Sequence, residues 1–188
     1  LGEFAIGKAL YGLMSGGFLV SVNSQANEPV VSDTVIAEHR NLGIAFYKAR
    51  MYSDAAREFK RILELRSTDA AASFYLGLIA VRDGRWADAA VAFQTAAVSA
   101  PRTNAVFVNL AYAYERMGQH EKARLALEQV VKRAPKPEPR AQIGLASLAL
   151  ERRDLDAAAA ALAAARNAWG GSAPPEVWYH YAGLLEIM

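Results

Sequence analysis

Three histidines are the residues best suited to chemistry at neutral pH, because an imidazole can ligate a metal or carry a proton. His39, His120 and His180 stand far apart, and no two are separated by the four residues that would place both rings on one helix face. The sequence also lacks a serine nucleophile elbow and a glycine-rich phosphate loop followed by lysine. It therefore predicts no catalytic residue, no metal site, no cofactor and no enzyme activity.

Three aspartates could form a carboxylate cluster, but their spacing favours another role. Asp54, Asp88 and Asp156 recur at one phase of a repeating pattern. At that phase each acid would lie in the first turn of a helix, where the positive end of the helix dipole stabilises it. We interpret them as helix-start residues and not as metal ligands.

The composition is typical of a folded domain with no polyanionic partner. The chain has 188 residues and a formal net charge of +2, too small a basic excess for a nucleic-acid binder. It has no cysteine, which excludes disulfides, thiolate zinc sites and cysteine nucleophiles. Hydrophobic residues make up 53% of the chain, enough for a sizeable core. The N-terminal apolar run is too short and glycine-rich to span a bilayer, so no membrane insertion is expected.

A period of 34 residues organises most of the chain. Alanines recur at this spacing as Ala55, Ala89, Ala123 and Ala157. A Leu-Gly-like pair precedes each alanine, as Leu42-Gly43, Leu76-Gly77, Leu110-Ala111 and Gly144-Leu145. The residues four positions later are Phe59, Phe93, Leu127 and Ala161, which are larger than alanine in the first three units. Apolar residues at spacings of three and four predict two amphipathic helices per unit. The small residues would let the paired helices approach closely.

This pattern resembles the tetratricopeptide repeat, which has Leu-Gly in its first helix, Ala and Phe in its second, and Pro at its end. The resemblance covers residues 36–169 as four units, with a fifth first helix at 176–188. It implies an all-α fold: a right-handed α-solenoid of about four helix pairs plus a partial fifth. The sequence departs from the family at Ser67, where proline is usual, at His39, where an aromatic residue is common, and throughout the alanine-rich fourth unit.

The resemblance also implies that the first helices line a concave groove for a protein or peptide partner. The candidate binding residues are Arg40, Asn41, Ile44, Tyr47, Lys48, Phe74, Tyr75, Leu78, Arg82, Asn109, Tyr112 and Arg116. The fourth unit would add Gln142, Ala146 and Ala149. The cations favour acidic side chains or a carboxylate, and the asparagine amides could pair with an extended backbone. In the alternative interpretation, the aromatic rings pack between repeats and the arginines form a solvated face.

The N-terminal segment, residues 1–31, does not fit the repeat and is predicted to be separate from the repeat domain, residues 32–188. Residues 9–18 resemble the end of a winged-helix module found beside PATAN-type domains in bacterial regulatory proteins, with a short helix and a strand at 18–22. That resemblance implies a signalling context and not DNA binding. The expected location is the cytoplasm. Alternatively, Lys8, the apolar run after it and Ser24-Gln25-Ala26 resemble a secretory signal over residues 1–26, which would place the protein in the periplasm.

The favoured function is a non-catalytic adaptor for protein–protein interaction. Two alternatives remain open: an envelope assembly scaffold that self-associates, and a regulatory domain of a larger enzyme. The last helix, residues 176–188, carries more apolar side chains than one neighbour can bury. It is therefore expected to mediate homo-oligomerisation or to precede a further helix.

Overall fold

The computed structural model describes residues 33–134 and 138–169. Eight α-helices account for nearly all of this part of the chain: α1 Asp33–Lys48, α2 Tyr52–Leu65, α3 Ala70–Arg82, α4 Trp86–Ser99, α5 Asn104–Arg116, α6 His120–Arg133, α7 Pro139–Glu151 and α8 Leu155–Trp169. They form four consecutive helix pairs, each packed against the next. The predicted all-α helical repeat fold is confirmed. The elements predicted within residues 1–31 and 176–188 lie outside the described residues.

The turn inside each pair contains one residue in the left-handed region of backbone conformation. Gly84 and Gly118 have φ angles of 71° and 70°, and glycine reaches this region without a steric penalty. In the outer two pairs, Arg50 and Arg153 adopt φ angles of 62° and 59° without that freedom. The same turn therefore closes all four pairs.

The core repeats one contact between the helices of each pair. A Cβ added at Gly43 would lie 2.9 Å from the ring of Phe59, and one at Gly77 would lie 2.5 Å from the ring of Phe93. Both rings are fully buried. Glycine at these positions therefore lets each first helix pack directly on a phenylalanine of its partner.

The fourth repeat is displaced by one residue, which corrects the uniform period of 34. The loops before α3 and α5 have four residues, whereas five residues separate Arg133 from Pro139. As a result Ala158, and not Ala157, is fully buried, and Leu162 takes the core position assigned to Ala161. Ala157 is exposed. The predicted helix pair is correct, but its buried faces are turned by one residue.

The three recurring aspartates occupy the predicted helix starts. Asp54 lies in the first turn of α2, Asp88 in that of α4 and Asp156 in that of α8. Their predicted position at helix starts, beside the positive end of a helix dipole, is confirmed.

Candidate binding groove

The first helices of the pairs lie on the inner side of the solenoid. Helices α3, α5 and α7 contact one another across successive repeats, in addition to the second helices beside them. Closer approach on this side curves the stack toward it, so these helices line its concave face.

Two adjacent rows of side chains run along the first helices. The apolar row consists of Ile44, Leu78 and Tyr112, and it ends at Ser147. The charged row consists of Lys48, Arg82, Arg116 and Glu151. In every repeat the two members are four residues apart, which makes them neighbours on one helix face. All members of the charged row are exposed, and Tyr112 is 43% exposed. Six of the twelve predicted binding residues therefore share one accessible face.

Each charged-row residue after the first contacts the second helix of the preceding repeat. Arg82 lies over the ring of Tyr52, with its Cζ 4.0 Å from the centroid, and Arg116 lies 5.0 Å from the ring of Trp86. Such cation–ring contacts are attractive because the face of the ring is electron-rich.

In the fourth repeat, the corresponding contact is an interaction between an imidazole and a carboxylate. His120 Nδ1 and Glu151 Oε2 are 2.9 Å apart. Tyr52, Trp86 and His120 are the first residues of α2, α4 and α6, and sequence reasoning missed their role because it assigned the groove to the first helices alone. Their spacing of 34 residues was the available signal.

Two predicted polar residues are engaged within the solenoid. Arg40 Nη2 donates to Asp69 Oδ2 at 2.6 Å, and Asp69 is buried. Asn109 Nδ2 donates to the carbonyl of Ala105, one turn earlier in α5, at 2.8 Å. These bonds occupy donors that the sequence analysis assigned to a partner. Asn41 is exposed on α1.

Four predicted aromatic residues pack between helices. The ring of Tyr112 meets the ring of Trp86 edge-on, with the two centroids 5.7 Å apart. The ring centroids of Phe74 and Phe93 are 5.7 Å apart. Tyr75 stacks on Phe59 with nearly parallel rings and a centroid distance of 4.8 Å. Tyr47 makes edge contacts with Tyr75 at 5.2 Å and with a further tyrosine. Tyr47, Phe74 and Tyr75 are half-buried, whereas Tyr112 is exposed. The contact of all four with a partner stays a prediction.

In the fourth repeat the structure corrects two of the expected groove residues. Ala146 is 1% exposed and packs with Ala158 and Leu162, and Gln142 is also buried. The five-residue loop explains the error, because it moves the accessible face by one position. Ser147 and Glu151 occupy that face instead.

A carboxylate lies between the third and fourth repeats. Glu115 is half-buried and accepts a hydrogen bond from Ser147 Oγ at 3.2 Å. Burial raises the pKa of Glu115, and Glu151 raises it further, while Ser147, His120 and Arg116 oppose the shift. Burial also raises the pKa of Tyr47, with added contributions from Tyr52 and Tyr75.

Replacing Glu115 by glutamine is expected to raise the melting temperature slightly at pH 7. A carboxyl group whose pKa is raised by folding stabilises the fold below its unfolded pKa, and this contribution is lost as the pH rises through the folded pKa. Glutamine keeps the acceptor for Ser147 and removes the partly buried charge. The gain should be a fraction of a kcal/mol, because solvent screens a half-exposed group. Melting curves at pH 7 and pH 3 test this, since the difference between the two proteins should vanish at the lower pH.

The convex side carries a second apolar surface. A depression of about 480 Å³ between α4, α5 and α6 is lined by Phe107, Tyr114 and Leu125, with Val98 at its edge. Val98 is 83% exposed and Leu125 is 48% exposed.

The part of the chain that the structure describes contains no group of three or more potential metal ligands. His39 Nδ1 pairs with Glu58 at 2.6 Å in the first repeat, far along the chain from His120. Within the same residues no helix is both long and apolar enough to cross a membrane.

Comparison with solved structures finds the same fold in other proteins. MamA is 23% identical over 70% of this chain and 77% of its own, with a TM-score of 0.66. PilF from Pseudomonas aeruginosa is 19% identical over 82% of this chain and 69% of its own, with a TM-score of 0.72. YrrB, described as a tetratricopeptide repeat protein with an unusual peptide-binding site, is 17% identical over 79% of this chain and 75% of its own, with a TM-score of 0.66. No curated protein matches the chain in sequence.

The family model for the tetratricopeptide repeat matches residues 40–105 and 108–173. These two matches cover most of the chain and include the helix pairs, the glycine–phenylalanine contacts and the repeating turns described above. The chain therefore belongs to the tetratricopeptide repeat family.

Proposed function

We propose that this protein is a non-catalytic adaptor that binds an extended peptide segment, or such a segment of a partner domain, along its concave groove. Tetratricopeptide repeats provide protein–protein interaction surfaces, and stacked helix pairs create long concave faces. The observation that carries the proposal is the pair of accessible rows on the first helices, with Tyr112 43% exposed at their centre.

The chemistry of the two rows supports a peptide partner. The apolar row offers aliphatic and aromatic contact area, and tyrosine supplies such area at a low cost in conformational entropy. The charged row can pair with side chains of a ligand lying beside it. Because the row carries both signs of charge, it differs from the uniformly basic surface that a nucleic acid needs.

The cellular setting belongs to the same proposal. Residues 9–18 support a role in bacterial signalling or regulation in the cytoplasm, through their resemblance to the end of a winged-helix module. Self-association through residues 176–188 also stays a prediction.

The groove can be tested without knowing the natural partner. A library of random displayed peptides would be selected on the immobilised protein, and the enriched peptides measured by fluorescence anisotropy. Tyr112→Ala is expected to weaken their binding by about tenfold, because exposed aromatic anchors commonly contribute more than about 1 kcal/mol at an interface. The melting temperature should fall only slightly, since the side chain is 43% exposed and loses one edge contact with Trp86.

The matched control is Val98→Ala, which removes an exposed apolar side chain from the convex side. This variant should bind the selected peptides as the original protein does. Peptides that lose affinity with Val98→Ala and not with Tyr112→Ala would show that the convex depression is the binding surface, and the proposal would be wrong.

A further inference from the structure

The charged row changes sign along the solenoid. Lys48, Arg82 and Arg116 place cations in the first three repeats, and Glu151 places an anion at the same position in the fourth. The side chain of Arg82 is 54% exposed and that of Glu151 is 46% exposed. A ligand lying along the row would therefore meet three positive positions and then a negative one.

The charged-row residues after the first contact residues of the second helices, and these contacts leave the order of the charges unchanged. Arg82 and Arg116 each rest on an aromatic ring, which holds the guanidinium without neutralising it. Arg82 also forms an ion pair with Asp83 at 2.9 Å through one of its five N–H donors, and Arg85 shares the charge of that carboxylate. For the fourth repeat, His120 occupies the position that Tyr52 and Trp86 have in the earlier repeats, and it pairs with Glu151. Glu115 adds a second carboxylate at this end of the groove.

The spacing of the row matches an extended peptide. Adjacent packed helices lie about 8–10 Å apart, and the first helices α3, α5 and α7 contact one another in succession. An extended chain advances about 3.3 Å per residue. Successive charges of the row are therefore separated by about three residues of an extended ligand.

We propose that the ligand is an extended segment with acidic side chains opposite the first three repeats and a basic side chain opposite the fourth, at intervals of about three residues. This inference rests on the proposed function and adds the charge order of the partner. Apolar residues between the charges would lie against the apolar row. The charges fix the register of the segment, because a shift by one repeat would place like charges together.

Two synthetic peptides of identical composition test the charge order. The first has three acidic residues followed by a lysine at the spacing derived above, and the second exchanges that lysine with the acid before it. The protein should bind the first peptide about tenfold more tightly, because the exchange places two like charges opposite Arg116 and Glu151. The reversed sequence of the first peptide is measured as well, since side-chain pairing permits either chain direction. The charge order is supported if the first peptide, in either chain direction, binds more tightly than the second peptide.

A charge exchange in the protein is the decisive experiment. The double variant Arg116→Glu with Glu151→Arg keeps the net charge and should reverse the preference, binding the second peptide about tenfold more tightly than the first. Both side chains are exposed, so the fold should persist, as melting curves would verify. Lys48→Glu provides a second variant at the other end of the row and should selectively weaken peptides that place an acid there.

The outcomes separate this inference from the proposed function. Equal binding of the two designed peptides, or a preference that the double variant leaves unchanged, would overturn the charge order. If library-selected peptides still lost affinity with Tyr112→Ala, the groove would remain the binding surface. If no designed or selected peptide depended on the groove, both proposals would be wrong.

Discussion

Gly77→Ala and Phe93→Leu are each expected to destabilise the fold, and together they should largely compensate each other. An alanine Cβ at position 77 would lie 2.5 Å from Phe93 Cε1, so the fully buried ring would have to shift within the core. We expect this overpacking to cost about 1–3 kcal/mol. It is partly offset by about 1 kcal/mol that alanine gains over glycine in a helix.

Phe93→Leu alone should leave a small cavity beside Gly77 and cost about 1–2 kcal/mol. In the double variant the added methyl group fills part of the space that the smaller side chain vacates. The third repeat already has this combination in Ala111 and Leu127, which are both buried in one cluster. The double variant should therefore be more stable than the sum of the single effects predicts, by about 0.5–3 kcal/mol.

Urea unfolding followed by circular dichroism measures all three variants against the original protein. Val98→Ala, on the same helix as Phe93 and 83% exposed, should leave the free energy of unfolding nearly unchanged. Strictly additive single effects would mean that the glycine and the phenylalanine do not form one packing unit.

The sequence was sufficient to predict the helix pairs of the first three repeats and the close approach of paired helices at their small residues. Alanine, glycine and phenylalanine recur there at one period, and each type fits one steric role. In the fourth repeat, residues 157–161 are all alanine, and such a run is equally helical in every register. The length of the preceding loop decides which alanine is buried, and the sequence pattern gave no measure of that length.

The candidate groove was predictable only in part. Helix periodicity predicts which residues face the groove. Whether their hydrogen-bond donors are available to a ligand depends on how one repeat packs on the next. Arg40 and Asp69 are 29 residues apart, and their bond follows from the placement of α1 against the following helix pair. Repeat phase alone could not separate such a residue from an accessible cation such as Arg82.

Ala158→Leu is expected to lower the free energy of unfolding by about 1–3 kcal/mol, while Ala157→Leu should change it by less than about 0.5 kcal/mol. Ala158 is fully buried beside Ala146 and Leu162, so a larger side chain there must displace the helix pair. Ala157 is exposed on the neighbouring face of α8. Leucine and alanine are both good helix formers, so the difference between the two variants reports packing and not helix propensity.

The same pair of variants also tests the alignment of the charged row. If Ala157→Leu were the costly change, the period of 34 would continue through the fourth repeat, and the row would end at Leu150. Glu151 would then face a different direction from Arg116, and the groove would lose its acidic end. If Ala158→Leu lowered the free energy of unfolding and Ala157→Leu left it unchanged, the one-residue shift would be confirmed in solution. Because that shift aligns Glu151 with the three cations, the core of the last repeat determines the charge order that a ligand would meet.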